Sequence, residues 1–111
     1  MDCIFCKICA GTIPSTRVYE DAEILAIRDI HPQAPTHVLV LPRQHVASLW
    51  ELEDERLAGR LLATAAAVAR AEKLVEGWRL IANTRQHGGQ DVDHLHMHVI
   101  GGRRLGPMLS R

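Results

Sequence analysis

The sequence predicts an α+β protein in which a mainly antiparallel sheet of five strands packs with one long helix and a short N-terminal turn or helix. Two observations carry this prediction. Short apolar, β-branched runs separated by turn residues occur early and late in the chain, and one alanine-rich segment of helical periodicity lies between them. The 111 residues fit one domain covering 1–111, because chains of this size close around a single core.

The first half of the chain contains three strand-like runs. They read RVYE from Arg17, then EILAIRDI, then HVLVLP up to Pro42. The first two runs are joined tightly at Glu20-Asp21, whereas the prolines of HPQAPT interrupt the connection to the third. These runs therefore predict three neighbouring strands.

The second half begins with the helix and returns to strands. From Asp54 to about Leu74 the apolar residues recur at helical spacing, and Gly77 is placed to end the helix. WRLIANT, residues 78–84, and DHLHMHVIGG, residues 93–102, are strand-like, with a glycine-containing loop between them. The tail RRLGPMLSR is not expected to form regular structure.

The composition excludes several classes of function. Thirteen basic residues balance thirteen acidic residues, so no basic field is available to hold a nucleic-acid polymer. No apolar run is long enough to cross a membrane, and the N-terminus lacks the pattern of a secretory signal, which makes the cytoplasm the expected location. Three cysteines do not suggest a disulfide framework in that compartment.

Three histidines, His94, His96 and His98, recur at every second position of the last strand. Side chains alternate between the faces of a strand, so the histidines share one face and the apolar residues between them share the other. The pattern suits a metal site, a nucleophilic imidazole that handles phosphate, or a polar strand face. Zinc is a real alternative, because histidines at i and i+2 can both reach one ion, and Cys3 and Cys6 have the C-x-x-C spacing that zinc favours.

The whole motif set resembles a known family. CIFCKI, IPSTRVYED, LAIRDIHPQAPTHVLVLPRQH, WRLIANTRQHGGQDVDHLHMHVIGGR and LGPML are together similar to the histidine triad nucleotide hydrolases, and within them to the bacterial histidine triad nucleotide-binding proteins. The resemblance implies that His96 attacks the α-phosphorus of a nucleotide, forms a covalent nucleotidyl-histidine, and is released by water without a catalytic metal. A neutral imidazole with a fixed tautomer is a competent nucleophile for this step. His98 would stabilise the phosphate.

The resemblance also implies which residues bind substrate and metal. Asp29 would bind the ribose hydroxyls, His37 would lie near the site, and His31 and His87 would be surface residues. Asp91 stands where relatives often carry a serine, and an ionised carboxylate cannot donate to a phosphate. Asn83, at the end of the neighbouring strand, would donate to the phosphate, and the loop that receives the phosphate would comprise Gly89, Gln90, Asp91 and Val92. The walls around the base would be Ile4, Phe5, Ile8, Ile13, Ile27 and Ile30, and a structural zinc would be held by Cys3, Cys6, His45 and His94.

The leading functional hypothesis is hydrolysis of purine nucleoside 5′-phosphoramidates, including adenylated amines, to a nucleoside monophosphate and an amine. The alternatives are a dinucleoside polyphosphate hydrolase or phosphorylase with the same His96 intermediate, a nucleotide-binding regulatory or scaffolding protein, and a hydrolase with zinc on the histidine strand. Relatives form two-fold dimers through the long helix and a strand, so a homodimer is expected. Small helix residues would permit close approach of the subunits: Ala63, Ala65, Ala66, Ala67 and Ala69.

Overall fold

A computed structural model describes residues 2–109 and confirms the α+β class and the five-stranded antiparallel sheet. Two α-helices and two 3₁₀ turns accompany the strands. In chain order the elements are α1 (Ile4–Cys9), β1 (Arg17–Glu20), β2 (Ile24–Arg28), β3 (Thr36–Pro42), a 3₁₀ turn (Leu49–Glu51), α2 (Glu55–Ala71), β4 (Trp78–Ile81), a second 3₁₀ turn (Gln86–Gly88) and β5 (Met97–Gly101).

The strands lie in the order β1, β2, β3, β5, β4, and every neighbouring pair is antiparallel. The predicted tight connection between β1 and β2 is held by Asp21, whose Oδ1 accepts hydrogen bonds from the backbone N–H groups of Glu23 and Ile24 at 2.8 Å. β5 lies between β3 and β4, with Leu39 of β3 opposite His98. The histidine strand is therefore central in the sheet, while β1 and β4 form its edges.

The two faces of the sheet are covered by different helices. One face packs on α2, and its buried residues include Ile24 and Ala26 of β2 together with Leu95, Met97 and Val99. The other face packs on α1 and carries the alternate residues of the same strands, such as Leu25 and Ile27. The alternation expected for the last strand is thus observed, because its apolar residues face α2 and leave the opposite face to the histidines.

The long helix α2 begins and ends through defined capping contacts. Asp54 is the N-cap, and its side chain accepts a hydrogen bond from the backbone N–H of Leu57. The expectation that Gly77 ends the helix is wrong. Lys73 takes the left-handed conformation at φ 60°, and the N–H of Leu74 bonds to the carbonyl of Ala69 at 3.1 Å, which closes the helix one turn earlier.

The last two strands are shorter than the sequence pattern predicts. β4 ends at Ile81, and β5 begins at Met97. The segment before β5 bonds elsewhere, because the N–H of Leu95 donates to Val46 at 2.7 Å and the N–H of His94 donates to Val92 at 2.9 Å. His94 and His96 therefore lie in a bent approach to the strand.

The alanines of α2 do not form a single outer face. Ala65 and Ala69 are buried against the sheet of their own chain, so they are unavailable to a second subunit. Ala63 and Ala67 are exposed on the outer side of the helix, beside the exposed Leu62. No helix in the described residues is long and apolar enough to cross a membrane.

Candidate active site and metal cluster

A cavity of about 270 Å³ opens on the α1 face of the sheet and contains the ends of two histidine side chains, His96 and His98. Residues from α1, β2, β3 and the loop before β5 line it together. The sequence-predicted members that line it are Ile4, Phe5, Ile8, Ile13, Ile27, Asp29, Ile30, Asp91, Val92, His96 and His98. The histidines thus share one space with a predominantly aliphatic wall.

His96 is fixed in one tautomer by the backbone. Its Nδ1 lies 2.7 Å from the carbonyl oxygen of His94, and because a carbonyl only accepts, Nδ1 carries the proton. Nε2 is then the unprotonated nitrogen with a lone pair. The ring is held from the side by Phe5, in an edge contact with a centroid distance of 4.9 Å. This arrangement gives the chain one buried, oriented nitrogen nucleophile beside a cavity.

Two consecutive hydrogen bonds, from the backbone of Gln33 to His37 and from His37 to His98, orient the His98 ring. The backbone N–H of Gln33 donates to Nδ1 of His37 at 3.0 Å, so the proton of His37 is on Nε2. That Nε2 lies 2.8 Å from Nδ1 of His98, which must accept, and the proton of His98 is therefore on its Nε2. Burial, with the neighbouring His96 and His37 rings, lowers the pKa of His98 to about 4. His98 is thus a neutral hydrogen-bond donor at neutral pH.

Asp29 completes the polar groups at the β2 end of the cavity. Its Oδ1 accepts a hydrogen bond from the backbone N–H of His31 at 2.8 Å, and its Oδ2 lies 3.4 Å from Nε2 of His37. Burial lowers the pKa of His37, while the charge of Asp29 opposes that shift. Asp29, His37 and His98 have ligand atoms close together, but the His37 to His98 hydrogen bond already uses the nitrogens that a metal would need.

The loop between β4 and β5 is held by the side chain of Gln90. Its Nε2 donates to the carbonyls of Ala47 at 2.7 Å and Val92 at 2.9 Å, and its Oε1 accepts from the N–H of Arg85 at 2.8 Å. The amide group is fully engaged with the backbone and faces away from the cavity. Gln90 therefore positions the loop in this structure, whereas the sequence pattern suggested contact with substrate.

Arg85 is the strained residue of this loop. Its backbone has φ 57° and ψ −171°, a combination that side chains disfavour. Its carbonyl accepts from the N–H groups of Gly88 and Gln90, and its guanidinium pairs with Glu51 at 2.5 Å and lies 5.5 Å from the Trp50 ring. These contacts hold the loop closed against the turn after β3.

A second cluster lies on the other side of His94. The side-chain ligand atoms of Cys3, Cys6, His45 and His94 all lie within 4.8 Å of one another. Sulfur to Nδ1 distances are 3.3 Å for Cys3 to His94, 3.4 Å for Cys6 to His45 and 3.6 Å for Cys6 to His94. A tetrahedral zinc with ordinary bond lengths separates a sulfur and a nitrogen ligand by about 3.5 Å, so these four residues fit the ion.

The ring of His94 is already in the tautomer that a metal requires. Its Nε2 lies 2.8 Å from the carbonyl oxygen of Pro42, so the proton is on Nε2 and the lone pair of Nδ1 points at the two sulfurs. The backbone carbonyl of the same residue accepts from His96. His94 therefore belongs to the cysteine and histidine cluster through its side chain and contacts the nucleophile through its backbone carbonyl.

Comparisons with known proteins agree with this geometry. A protein-family model described as HIT domain matches residues 10–105. The chain is 49% identical over 110 residues to a purine nucleoside phosphoramidase of Escherichia coli K12, covering 96% of this chain and 92% of the relative. The crystal structure of a HIT family hydrolase from Legionella pneumophila superposes with a TM-score of 0.91 at 47% identity, covering 95% of this chain and 96% of the other.

The chain belongs to the HIT domain family. Two further HIT relatives carry zinc in their names. A 14 kDa zinc-binding protein of Brassica juncea is 47% identical over 108 residues, covering 94% of this chain and 96% of the relative. A zinc-bound histidine triad family protein from Mycobacterium smegmatis superposes with a TM-score of 0.83 at 37% identity, covering 99% of this chain and 81% of the other.

The cavity of this HIT chain differs from the sequence-based site in a few members. Pro14, Ser15, Arg28 and Leu39 line it although the sequence analysis assigned them no role at the site. Leu39 could have been predicted from the sequence, because it lies two residues after His37 and therefore on the same face of β3. Three residues predicted to bind the phosphate, Asn83, Gly89 and Gln90, do not line the cavity, and Asn83 lies two residues beyond the end of β4.

Proposed function

We propose that this chain is a nucleotide hydrolase that cleaves nucleoside 5′-phosphoramidates, with purine nucleosides as the preferred class, through a covalent nucleotidyl-histidine on His96. The observation that carries the proposal is the free Nε2 of His96, fixed by the hydrogen bond from Nδ1 to the carbonyl of His94, beside a cavity with aliphatic walls. The E. coli relative, a purine nucleoside phosphoramidase by name, supports the same class of substrate.

In the first step the lone pair of His96 Nε2 attacks the α-phosphorus, the P–N bond of the substrate breaks, and its electron pair goes to the departing nitrogen. The positive charge that develops on the imidazole is stabilised by the donor bond from Nδ1 to the His94 carbonyl. The Nε2–H of His98 is placed to donate to a phosphate oxygen or to the leaving nitrogen. The leaving nitrogen takes up a proton from solvent and departs as an amine, and the water that attacks in the second step returns a proton to solvent.

In the second step water attacks the same phosphorus, the bond to His96 breaks, and Nε2 recovers its lone pair. The net reaction is phosphoramidate plus water giving nucleoside monophosphate and amine. Because His98 is neutral at neutral pH in the free chain, it would meet the phosphate as a hydrogen-bond donor rather than as a positive charge. The backbone N–H groups of Asp91 and Val92 would contribute further donors to the phosphate.

The nucleoside would occupy the aliphatic end of the cavity. Ile30 is 83% exposed, which is unusual for an isoleucine and is explained if a base covers it. Asp29 has acceptor capacity left after its contact with His31 and would accept from the two ribose hydroxyls. Base contacts would come from Ile4, Phe5, Ile8, Ile13, Ile27 and Ile30. Apolar walls discriminate by shape, so we expect loose selectivity among purines.

We also propose that Cys3, Cys6, His45 and His94 hold a structural zinc ion. A closed site with four protein ligands supplies cross-linking rather than a reactive water, so no step of the reaction needs the metal. Three thiols without disulfide partners suit a reducing, cytoplasmic location. We further propose that two copies of the chain form a homodimer, in which the exposed side of α2 and the edge strand β4 contact the partner. The ligand of each copy would be a small purine nucleotide.

Mass spectrometry of protein quenched during turnover tests the intermediate. With adenosine 5′-phosphoramidate as substrate, and quenching at alkaline pH because phosphorus bonded to histidine is acid-labile, we expect one mononucleotide adduct on His96. His96→Ala should lose both the adduct and turnover, whereas His31→Ala, which changes an exposed histidine outside the cavity, should retain both. Turnover that persists in His96→Ala, or inversion of configuration at a chiral phosphorus in place of retention, would exclude the covalent route.

The same variants separate the alternatives. A binding or scaffolding protein would keep its cellular effect in His96→Ala, and a hydrolase with catalytic zinc would lose turnover on chelation while its fold remained intact. A polyphosphate hydrolase would turn over dinucleoside polyphosphates faster than phosphoramidates. The geometry argues against a catalytic zinc on the histidine strand, because the side chains of His94 and His96 serve two different sites and do not converge on one ion.

A further inference from the structure

Asp91 places a carboxylate beside the nucleophilic nitrogen of His96. Its Oδ1 lies 3.6 Å from Nε2 of His96, in the space where an attacking imidazole meets its phosphate. The side chain of Asp91 is 81% exposed, whereas that of His96 is 4% exposed. The carboxylate therefore reaches the nucleophile from the solvent side and is free to move aside when a phosphate arrives.

The backbone that carries Asp91 is fixed although its side chain is free. Gln90, the preceding residue, is bonded through its side chain to the carbonyls of Ala47 and Val92, and through its Oε1 to the N–H of Arg85. Because an aspartate side chain is short and its backbone is held, the charge of Asp91 stays beside the nucleophile even when the side chain rotates. A local charge held in this way acts on every substrate that uses the site.

Among the described residues that line the cavity, no lysine or arginine is left unpaired to balance this charge. Arg28 is the one lysine or arginine among the described residues that line the cavity, and its guanidinium is paired with Glu72 at 2.7 and 3.0 Å. A neighbouring cleft of about 520 Å³ continues past Asp91 and Val92, and the described residues that line it include no lysine or arginine. Of these described residues, a polyanionic leaving group would therefore meet only Arg28, whose charge Glu72 already neutralises.

We propose that Asp91 is a specificity-determining residue that selects leaving groups by charge, favouring amines that carry a second, positive group and disfavouring anionic ones. The inference rests on the proposed phosphoramidate hydrolysis. An in-line attack places the leaving nitrogen about 5 Å from His96 Nε2, so a charge a few bonds further on lies within reach of the carboxylate. At such distances one unit charge changes kcat/KM about threefold to tenfold at low ionic strength.

Three adenosine phosphoramidates of equal chain length test the proposal. Their leaving groups are butylamine, 1,4-diaminobutane and 4-aminobutanoate, which carry a neutral, a positive and a negative far end. For the unmodified chain we expect kcat/KM to fall in the order positive, neutral, negative. The preference should shrink toward unity as sodium chloride is raised to about 0.5 M, because salt screens exposed charges.

Asp91→Asn should bring the three kcat/KM values together, since it removes the charge with little change in shape, and Asp91→Glu should keep the order. Glu53→Gln is the matched control. It removes the same charge from an exposed residue outside the cavity and the cleft, and its ratios should equal those of the unmodified chain.

Two results would overturn the proposal: equal kcat/KM for the three substrates in the unmodified chain, or an order that survives in Asp91→Asn. If Asp91→Asn proves inactive, the salt dependence of the substrate preference is measured in the unmodified chain and in Asp91→Glu. A preference that does not change with salt is not electrostatic and would also overturn the proposal. Failure of the proposed function looks different, because then no phosphoramidate of the series is hydrolysed and no histidine adduct forms.

Discussion

Acid should destabilise this chain through His98, by an amount that follows from its pKa. The imidazole has a pKa of about 4 in the folded chain, against about 6.5 when unfolded, so between those values the unfolded chain binds a proton that the folded chain refuses. The contribution of His98 to stability is thus intact above pH 6.5 and is lost as the pH falls toward 4. Between pH 7 and pH 4.5 the loss is about 2–3 kcal/mol.

Urea unfolding across this pH range, for the original chain and for His98→Asn, measures the effect. Asparagine can still accept a hydrogen bond from His37 but does not titrate, so the free energy of unfolding of the variant should fall less on acidification, by about 2–3 kcal/mol. Other groups that titrate contribute equally to both proteins and cancel in the difference. Parallel loss of stability in the two proteins, or an NMR titration of the His98 ring with a midpoint near 6.5, would show that His98 does not cause the acid sensitivity.

Further predictions concern the cluster, the loop and the core. Removing zinc with a chelator, or Cys6→Ser, should lower the melting temperature by several degrees in calorimetry, and an unchanged value would argue that the cluster holds no metal. Gln90→Ala removes three side-chain hydrogen bonds and should cost about 1–3 kcal/mol, with faster amide exchange in residues 84–92; unchanged exchange would contradict its positioning role. Leu61→Ala should cost about 2–5 kcal/mol in urea unfolding while nucleotide affinity, measured by calorimetry, stays within twofold, because Leu61 is buried on the face opposite the cavity.

The helices and strands could largely be predicted from the sequence, because each has a characteristic local spacing of apolar residues. The alternation around His96 assigns both faces of β5, and the helical spacing that begins after Asp54 agrees with α2 to within three residues. The C-terminal end of α2 could not be predicted, because Lys73 takes a left-handed conformation that is usually adopted by glycine. Nothing in the local pattern distinguishes it from any other lysine.

The site was partly predictable for a similar reason. Residues placed by strand alternation, such as Ile27 and His98, line the cavity as expected, since period-two spacing fixes the face of a side chain. The side chain of Gln90 could not be assigned in advance, because an amide in a loop serves the backbone or a ligand equally well. Only the positions of Ala47 and Val92, one of them distant in sequence, decide between the two.

The acceptor that orients His96 is a peptide carbonyl, and this has a consequence for how the site can vary. In a serine hydrolase triad the imidazole is oriented by a carboxylate, which one codon change can delete. Here every amino acid at position 94 brings the same carbonyl, so no point mutation removes the orienting group outright. An amide-to-ester replacement introduced by chemical synthesis, which weakens the carbonyl as an acceptor, is the way to probe that bond while all side chains stay in place.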